Sequence, residues 1–333
     1  MNISIALCTY NGAKFLPEQL DSIGRQTRQP DEIIVCDDRS ADHTLDILQS
    51  FKKVSPFPVQ ILLNEKTLGP IKNFEKAVQL CNGDIIALSD QDDIWEHHKL
   101  EKVESVFRNE PEAGYVFSDG DAVDEDLNSL GYSLWDAAGF QGPLFEMYTS
   151  GNQLCCFLRR QFVTGATMAL RSCFRELPAP YPADTVWMHD NWISAVLSSC
   201  GALGVAITDK LIRYRHHREQ QIGVSRPQVR TSYIDEYTSF SRRKEFLWEQ
   251  WLRWGESCLY LKQRIEAMNN SYIDTSESIR LLEQFKRHFS SRKLIHTKKG
   301  YSRLKPVLSE MISGRYGLFS NSWKSAVRDL LLH

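Results

Sequence analysis

The chain is 333 residues long, 42% hydrophobic, 25% charged and 11% aromatic, enough to bury one large core or two smaller ones and incompatible with disorder or fibrous repeats. Its longest apolar runs, such as 85–88 and 330–332, fall far short of the roughly 18 residues of a spanning helix; residues 1–8 lack a basic signal region, so the expected compartment is the cytoplasm. The formal net charge of −2 conceals an asymmetry: residues 1–224 hold 20 Lys and Arg against 31 Asp and Glu, and residues 225–333 hold 20 against 11.

In chain order, short apolar runs at 3–9, 32–36, 59–63, 85–88 and 115–118 read as buried strands. Between them, 13–26, 41–53, 71–81 and 96–108 carry apolar residues at helical spacing. This alternation predicts an α/β fold, a mostly parallel sheet with helices on both faces. Ser40 and Asp42 are placed to begin a helix. Further strands are expected at 162–170 and 204–208, flanking a helix at 191–200, as part of the same domain. After about Pro227 only helices are expected, at 234–268, 276–289 and 320–331. The eight cysteines show no CxxC spacing, which suits reduced, mostly buried thiols.

Ligands of open α/β sheets bind beyond the carboxyl ends of the strands. Those ends are polar or acidic here: Thr9-Tyr10-Asn11-Gly12, Asp37-Asp38-Arg39-Ser40, Ser89-Asp90-Gln91-Asp92-Asp93 and Ser118-Asp119-Gly120-Asp121. Carboxylates gathered at one edge repel one another unless a cation or ligand compensates them, and a divalent metal with a nucleotide would do so. No GxGxxG follows the first strand and no GxxxxGK[ST] is present, so phosphate must be held another way. Oxygen ligands such as Asp90 and Asp92 suit Mg²⁺ or Mn²⁺. The alternative role for residues 90–93 is to cap the helix near Glu96, for which one aspartate suffices.

The opening Cys8-Thr9-Tyr10-Asn11-Gly12, the strand end Val35-Cys36-Asp37-Asp38-Arg39-Ser40, the DxD-type Asp90-Gln91-Asp92-Asp93-Ile94-Trp95, Gly165-Ala166-Thr167 and Trp187-Met188-His189-Asp190-Asn191-Trp192 occur in that order. On these residues the chain resembles the inverting glycosyltransferases of family 2, with the GT-A fold, over roughly residues 1–223. The DQDDIW and HDNW forms and Tyr214-Arg215-His216-His217 are most similar to bacterial rhamnosyltransferases of cell-surface polysaccharide synthesis. The resemblance implies a catalytic domain over 1–224 and a nucleotide-sugar site of Thr9, Tyr10, Asn11, Asp37, Asp38, Lys72, Asp90 and Gln91. It also implies Asp92, with His217, at the metal or diphosphate, and Asp190 as catalytic base. Many family members have Glu-Asp where this chain has His189-Asp190, and Arg where it has Lys72. The implied donor is dTDP-rhamnose or a UDP-sugar, and the acceptor a glycan or polyprenyl-linked hydroxyl. Two alternatives differ in class. A sugar nucleotidyltransferase would want a Gly-rich basic loop, for which residues 11–16 offer only Lys14, and a non-catalytic glycan-binding protein would be expected to lack Asp92 or Asp190.

The basic region 225–333 has nine Lys and Arg between Arg280 and Lys305 against Glu283 alone, with Trp248, Trp251 and Trp254 at every third residue and Phe240 and Phe246 nearby. Basic residues with interleaved aromatics suit an anionic membrane surface, peripheral to the inner face of the cell membrane. The alternatives are a solvated face and a Trp stripe packed on the catalytic domain or on a second subunit of a homodimer. Nucleic acid is not expected, because the acidic first part opposes it.

Overall fold

The computed structural model describes residues 1–218, 220, 244–268, 273–320 and 323–331. β1 (Ile3–Thr9), β2 (Glu32–Asp37), β3 (Val59–Leu63) and β4 (Ile85–Ser89) pair in parallel in the order β3–β2–β1–β4. β1 and β4 are buried along their whole length, as strands covered on two faces must be. The intervening helices are α1 (Leu16–Gly24), α2 (Thr44–Val54) and α3 (Pro70–Leu80). α1 buries Leu16, Leu20 and Ile23 at helical spacing, and prolines start α1 and α3 where a missing N–H costs nothing.

The sheet continues through β8 (Ala169–Arg171), antiparallel both to β4 and to β6 (Ala113–Val123). Beyond β6 lie β9 (Leu203–Arg215), parallel to it, and β5 (Ile94–Trp95), antiparallel to β9. β7 (Ser129–Ser133) pairs on β6. α4 (Lys99–Asn109), α5 (Leu134–Ala138), α6 (Pro143–Thr149), α7 (Gln153–Arg159) and α8 (His189–Ser199) complete this part. The expected α/β architecture is present, with two local corrections. The strand expected at 115–118 runs on to Val123, because β9 continues beside it to the pair Val123↔Arg215. The strand expected at 162–170 is a loop, a turn of 3₁₀ helix (Gly165–Thr167) and the three residues of β8. There the Asn191 side chain takes the backbone N–H groups of Phe162 and Val163 that a ladder would need.

The described residues fall into two compact units, one of 1–151, 161–198 and 202–220, the other of 152–160, 199–201 and the residues from 244 onward. α7 thus groups with the helical part, although the sequence put it in the first. The second unit holds α9 (Lys244–Glu266), α10 (Ser276–Thr297), α11 (Leu304–Ile312), α12 (Arg315–Phe319) and α13 (Trp323–Leu331). Ile295, Val307, Tyr316 and Ala326 form a small core between the last four helices, with Leu330 against it. Trp251 rests on Phe289, ring centroids 4.6 Å apart, and the Trp254 indole N–H donates to the Leu158 carbonyl at 3.1 Å. Those two tryptophans therefore pack within the unit, each partly exposed. Phe240 and the rest of 234–243 lie outside the described residues, as do the side chains of Phe246 and Trp248. All eight cysteines are free thiols, six of them buried; Cys173 is exposed and Cys200 intermediate.

Candidate active site

Parallel pairing of β2, β1 and β4 brings their carboxyl ends side by side, and a cavity of about 870 Å³ opens beyond them, within the usual size of a small-molecule site. Thr9, Tyr10, Asn11, Asp38, Asp90, Gln91, Asp92, Asp190 and His217 all line it. Asp37 and Lys72 do not. Asp37 is fully buried and accepts hydrogen bonds from the Thr9 hydroxyl at 2.7 Å and from the Ser40 N–H and hydroxyl at 2.8 and 2.6 Å, so it ties β1 to the loop after β2. The Lys72 ammonium pairs with Glu75 on its own helix at 2.7 Å. Asp38 reaches the cavity wall with its oxygens committed to the Asn64 amide and the Leu68 and Gly69 N–H groups, each at 2.8 Å. Asp119 and Asp121 are also drawn away from the site. Asp119 accepts from the Gly120 and Trp135 N–H groups, and Asp121 pairs with Lys210 at 2.6 Å, because β6 continues past them.

The loops after β1 and β4 are fixed by one amide. Gln91 accepts from the Tyr10 N–H at 2.8 Å and donates to the Tyr10 carbonyl at 3.0 Å. Asn11, at φ 48°, accepts from the Ala41 N–H at 2.8 Å. Residues 90–93 do not cap the following helix, which begins at Lys99 with no side-chain cap. Instead, buried Arg215 at the end of β9 holds them. Its N–H donates to Asp93 Oδ1 at 3.1 Å and its Nε to the Asp92 carbonyl at 2.9 Å, while its terminal nitrogens reach the Glu125 carbonyl and Glu18 and its guanidinium lies 4.5 Å over the Phe15 ring. Arg215 leaves β9 in register for His217, whose Nε2 meets Asp92 Oδ2 at 2.8 Å. The His217 ring lies 4.7 Å from that of Phe15, and its Nδ1 is buried without a partner.

Carboxylates dominate the electrostatics. Asp90 is pushed up to about 8, first by desolvation and then by the charges of Asp92 and Asp190. Asp93 is raised well above the usual carboxylate range by burial and by the same cluster, and its Oδ2 has no partner. Lys99 is buried under the cluster, donating to the Ala166 carbonyl with its ammonium 3.6 Å over the Trp95 ring. Burial draws it down to about 7 against the pull of Asp93 and Asp90. Such a cluster favours an added cation. Among the described residues no three His, Cys, Asp or Glu side chains converge to hold an ion unaided. A hard divalent cation is commonly held by one or two carboxylates together with substrate phosphates, and Asp92, on the cavity wall with His217 Nε2 against its Oδ2, is a carboxylate that fits such a site.

Asp190 stands in the first turn of α8. Its Oδ1 accepts from the Asn191 N–H at 2.6 Å and side-chain amide at 2.9 Å; Oδ2 accepts no hydrogen bond among the described residues. Asn191 also donates to the Val163 carbonyl at 2.8 Å and so staples α8 to the loop at 162–163. His189 lies flat against Phe74, both of its nitrogens unpartnered, and burial holds it below the ordinary histidine range. Gly165 is required here, since a Cβ would stand 2.5 Å from His189 Nε2. The sequence reading did not place Phe15, Asn73, Phe74, residues 161–164, Tyr214 or Gln220 on the cavity wall. Most are apolar or lie in loops, without a motif to mark them. Lys14, the one cation available to a nucleotidyltransferase-type loop, pairs with Glu125.

The glycosyl transferase family 2 model matches residues 4–173, just over half of the chain. An uncharacterized glycosyltransferase of Nostoc sp. (strain PCC 7120) is 28% identical over 65% of this chain and 65% of its own length. A dTDP-rhamnosyl transferase of Shigella flexneri is 41% identical over 28% of this chain and 34% of its own. The chondroitin synthase of Escherichia coli is 28% identical over 49% and 23%. This chain therefore spans less than two thirds of the length of each of these relatives. The crystal structure of S. aureus TarS 1–349 in complex with UDP-GlcNAc superposes with a TM-score of 0.55 at 15% identity, covering 99% of this chain and 82% of that one, a likeness of fold that matches the expected GT-A arrangement. On the extent of the family match, the chain belongs to glycosyl transferase family 2.

Proposed function

We propose that this protein transfers a sugar from a nucleoside-diphosphate donor to a hydroxyl group of a growing bacterial surface glycan or lipid-linked acceptor, with inversion at the anomeric carbon. The observation that carries this reading is the convergence of Asp90, Asp92, Asp190 and His217 on one cavity beyond the strand ends. Family membership supports the reaction class, and the stretch shared with the dTDP-rhamnosyl transferase supports a deoxyhexose such as rhamnose as the donor sugar. The names of the chondroitin synthase and of the dTDP-rhamnosyl transferase support a glycan as the acceptor class.

Inversion is a single displacement in which the acceptor hydroxyl attacks C1 and the nucleoside diphosphate departs from the opposite face. Asp190 takes the acceptor proton on Oδ2 while Asn191 holds Oδ1, so the base is fixed in one orientation. Tyr10, Asn11 and Gln91 form the wall against the nucleotide, with Gln91 locking the backbone of Tyr10. Asp90 lines the same wall and would face the sugar or ribose hydroxyls, which a carboxyl group can engage by hydrogen bonds. Asp92 and His217 would hold Mg²⁺ or Mn²⁺, which when bound supplies Lewis-acid stabilisation of charge developing on the leaving diphosphate.

The test is a thermal-shift screen of dTDP-rhamnose and UDP-sugars with and without Mn²⁺, followed by turnover with a polyprenyl-linked acceptor. Stabilisation by one donor, growing with its concentration as linkage requires, together with release of its nucleoside diphosphate, is the expected result. No stabilisation by any nucleotide sugar would remove the reading.

A further inference from the structure

The two helices α11 and α13 carry apolar residues on their outer as well as their inner faces. α11 turns Val307 and Glu310 inward, and α13 turns Ser325, Ala326 and Asp329 inward. Outward, α11 presents Leu304, Leu308 and Ile312, and α13 presents Trp323, Val327 and Leu331. Each set is spaced i, i+4, i+8, one apolar stripe along one helix face. Ile312 is 87% exposed and Trp323 56%. A surface helix of a water-soluble fold ordinarily keeps its outer face polar.

The buried carboxylates are neutralised locally. Asp329 takes a two-pronged pair from Arg292 at 2.7 and 2.8 Å, and Glu310 pairs with Arg315 and with His288 at 2.9 Å. Those are the two acids that the sequence places from residue 284 to its end, against eleven Lys and Arg. No acidic side chain is therefore left on the described surface of this stretch, while Lys286, Arg287, Lys293, Lys299 and Lys305 are exposed. The expected basic cluster loses two members, since Arg292 and Arg303 are buried. The apolar stripes take their place.

We propose that this face docks on an anionic phospholipid bilayer, with α11 and α13 lying in the headgroup layer. No described helix is long and apolar enough to cross a membrane, so this is attachment in the plane of the interface. The withdrawal of acids selects the occupant. A second copy of the chain, meeting this face with the same face, would set these lysines against themselves. A bilayer carrying negative headgroups accepts the cations at its surface and the stripes among its acyl chains. The proposal stands apart from the transferase reading and is read out without any turnover.

The experiment is co-sedimentation of the full chain with phosphatidylcholine vesicles, with and without phosphatidylglycerol, at low and high salt, beside sedimentation velocity of the protein alone. Binding to the anionic vesicles is expected, weakening as salt screens the cations. The Ile312→Glu/Trp323→Glu pair should lose affinity on the order of tenfold or more with an unchanged melting curve, since both side chains are exposed. Lys299→Glu/Lys305→Glu is the second variant and should weaken binding mainly at low salt. Absence of vesicle binding by the wild type, or full binding by both folded pairs, overturns the proposal. So does self-association that only the glutamate pair at 312 and 323 abolishes.

Discussion

The His189 imidazole lies on the Phe74 ring with centroids 3.9 Å apart and planes 15° from parallel, and neither of its nitrogens has a hydrogen-bond partner. Its neighbour Asp190 is held by Asn191 through one oxygen only. The two residues are rival bases by sequence, and the geometry separates them. Burial makes the stacked imidazole a weaker base, whereas the carboxylate is anchored and open. Asp190→Asn is expected to lower turnover on the order of 10²-fold or more with donor affinity unchanged, and His189→Gln by less than about tenfold. Turnover and calorimetric donor titrations on both variants decide it; collapse of the histidine variant beside a near-normal asparagine variant would transfer the role.

On the proposed metal role of Asp92, Asp92→Asn should remove the metal-dependent part of donor affinity, because it takes away the carboxylate that His217 holds. His217→Ala is expected to weaken it by roughly 10- to 100-fold, the usual effect of disturbing a metal's protein environment. Calorimetry with and without Mn²⁺ checks both; equal metal dependence in wild type and Asp92→Asn would place the ion elsewhere.

A Cβ on Gly12 would lie 2.1 Å from Gln91 Oε1. Gly12→Ala must therefore dislodge the amide that bridges to Tyr10, at an overpacking cost of about 1–3 kcal/mol. Both a lowered melting temperature and a raised donor KM are expected. Gly24→Ala, where no atom lies within 4 Å of the added carbon, is the neutral control.

In the helical unit Glu310 is drawn down to about 2 by hydrogen bonds from His288 and Arg315, overcoming its burial, and burial lowers His288. Both folded values lie below their unfolded ones, so their stabilisation is complete above about pH 6.5 and is lost as the solution is acidified. The Glu310 share is on the order of 3 kcal/mol and disappears between about pH 4.5 and 2. Glu310→Gln should flatten that limb of the pH–stability curve, measured by urea unfolding.

The parallel strands were legible because β1, β2, β3 and β4 are mainly apolar runs of the right length, and the site motifs because they follow those strands. Less legible was whatever depends on distant partners. Nothing local tells that Asp37 is spent on Thr9 and Ser40, that Lys72 turns to Glu75, or that Asp119 lies within a longer strand. Arg215 was visible as part of a motif, but its grip on residues 92 and 93 depends on a register fixed by β6. α11 and α12 escaped notice because they are short and uncapped, and α11 carries apolar residues on its open face.

The placement of β9 between β6 and β5 has a consequence for how the protein comes into being. β5 directly follows the Asp90–Asp93 segment, yet its ladder partner is β9, more than a hundred residues later, and Arg215 and His217 arrive with that strand. A nascent chain that has completed the first four strands still lacks the anchor of its acidic loop. Closing so long a loop is entropically demanding and slow. The anchoring of residues 92 and 93 thus arrives as a late step of biogenesis, after the synthesis of residue 217, and cannot be present in shorter translation products.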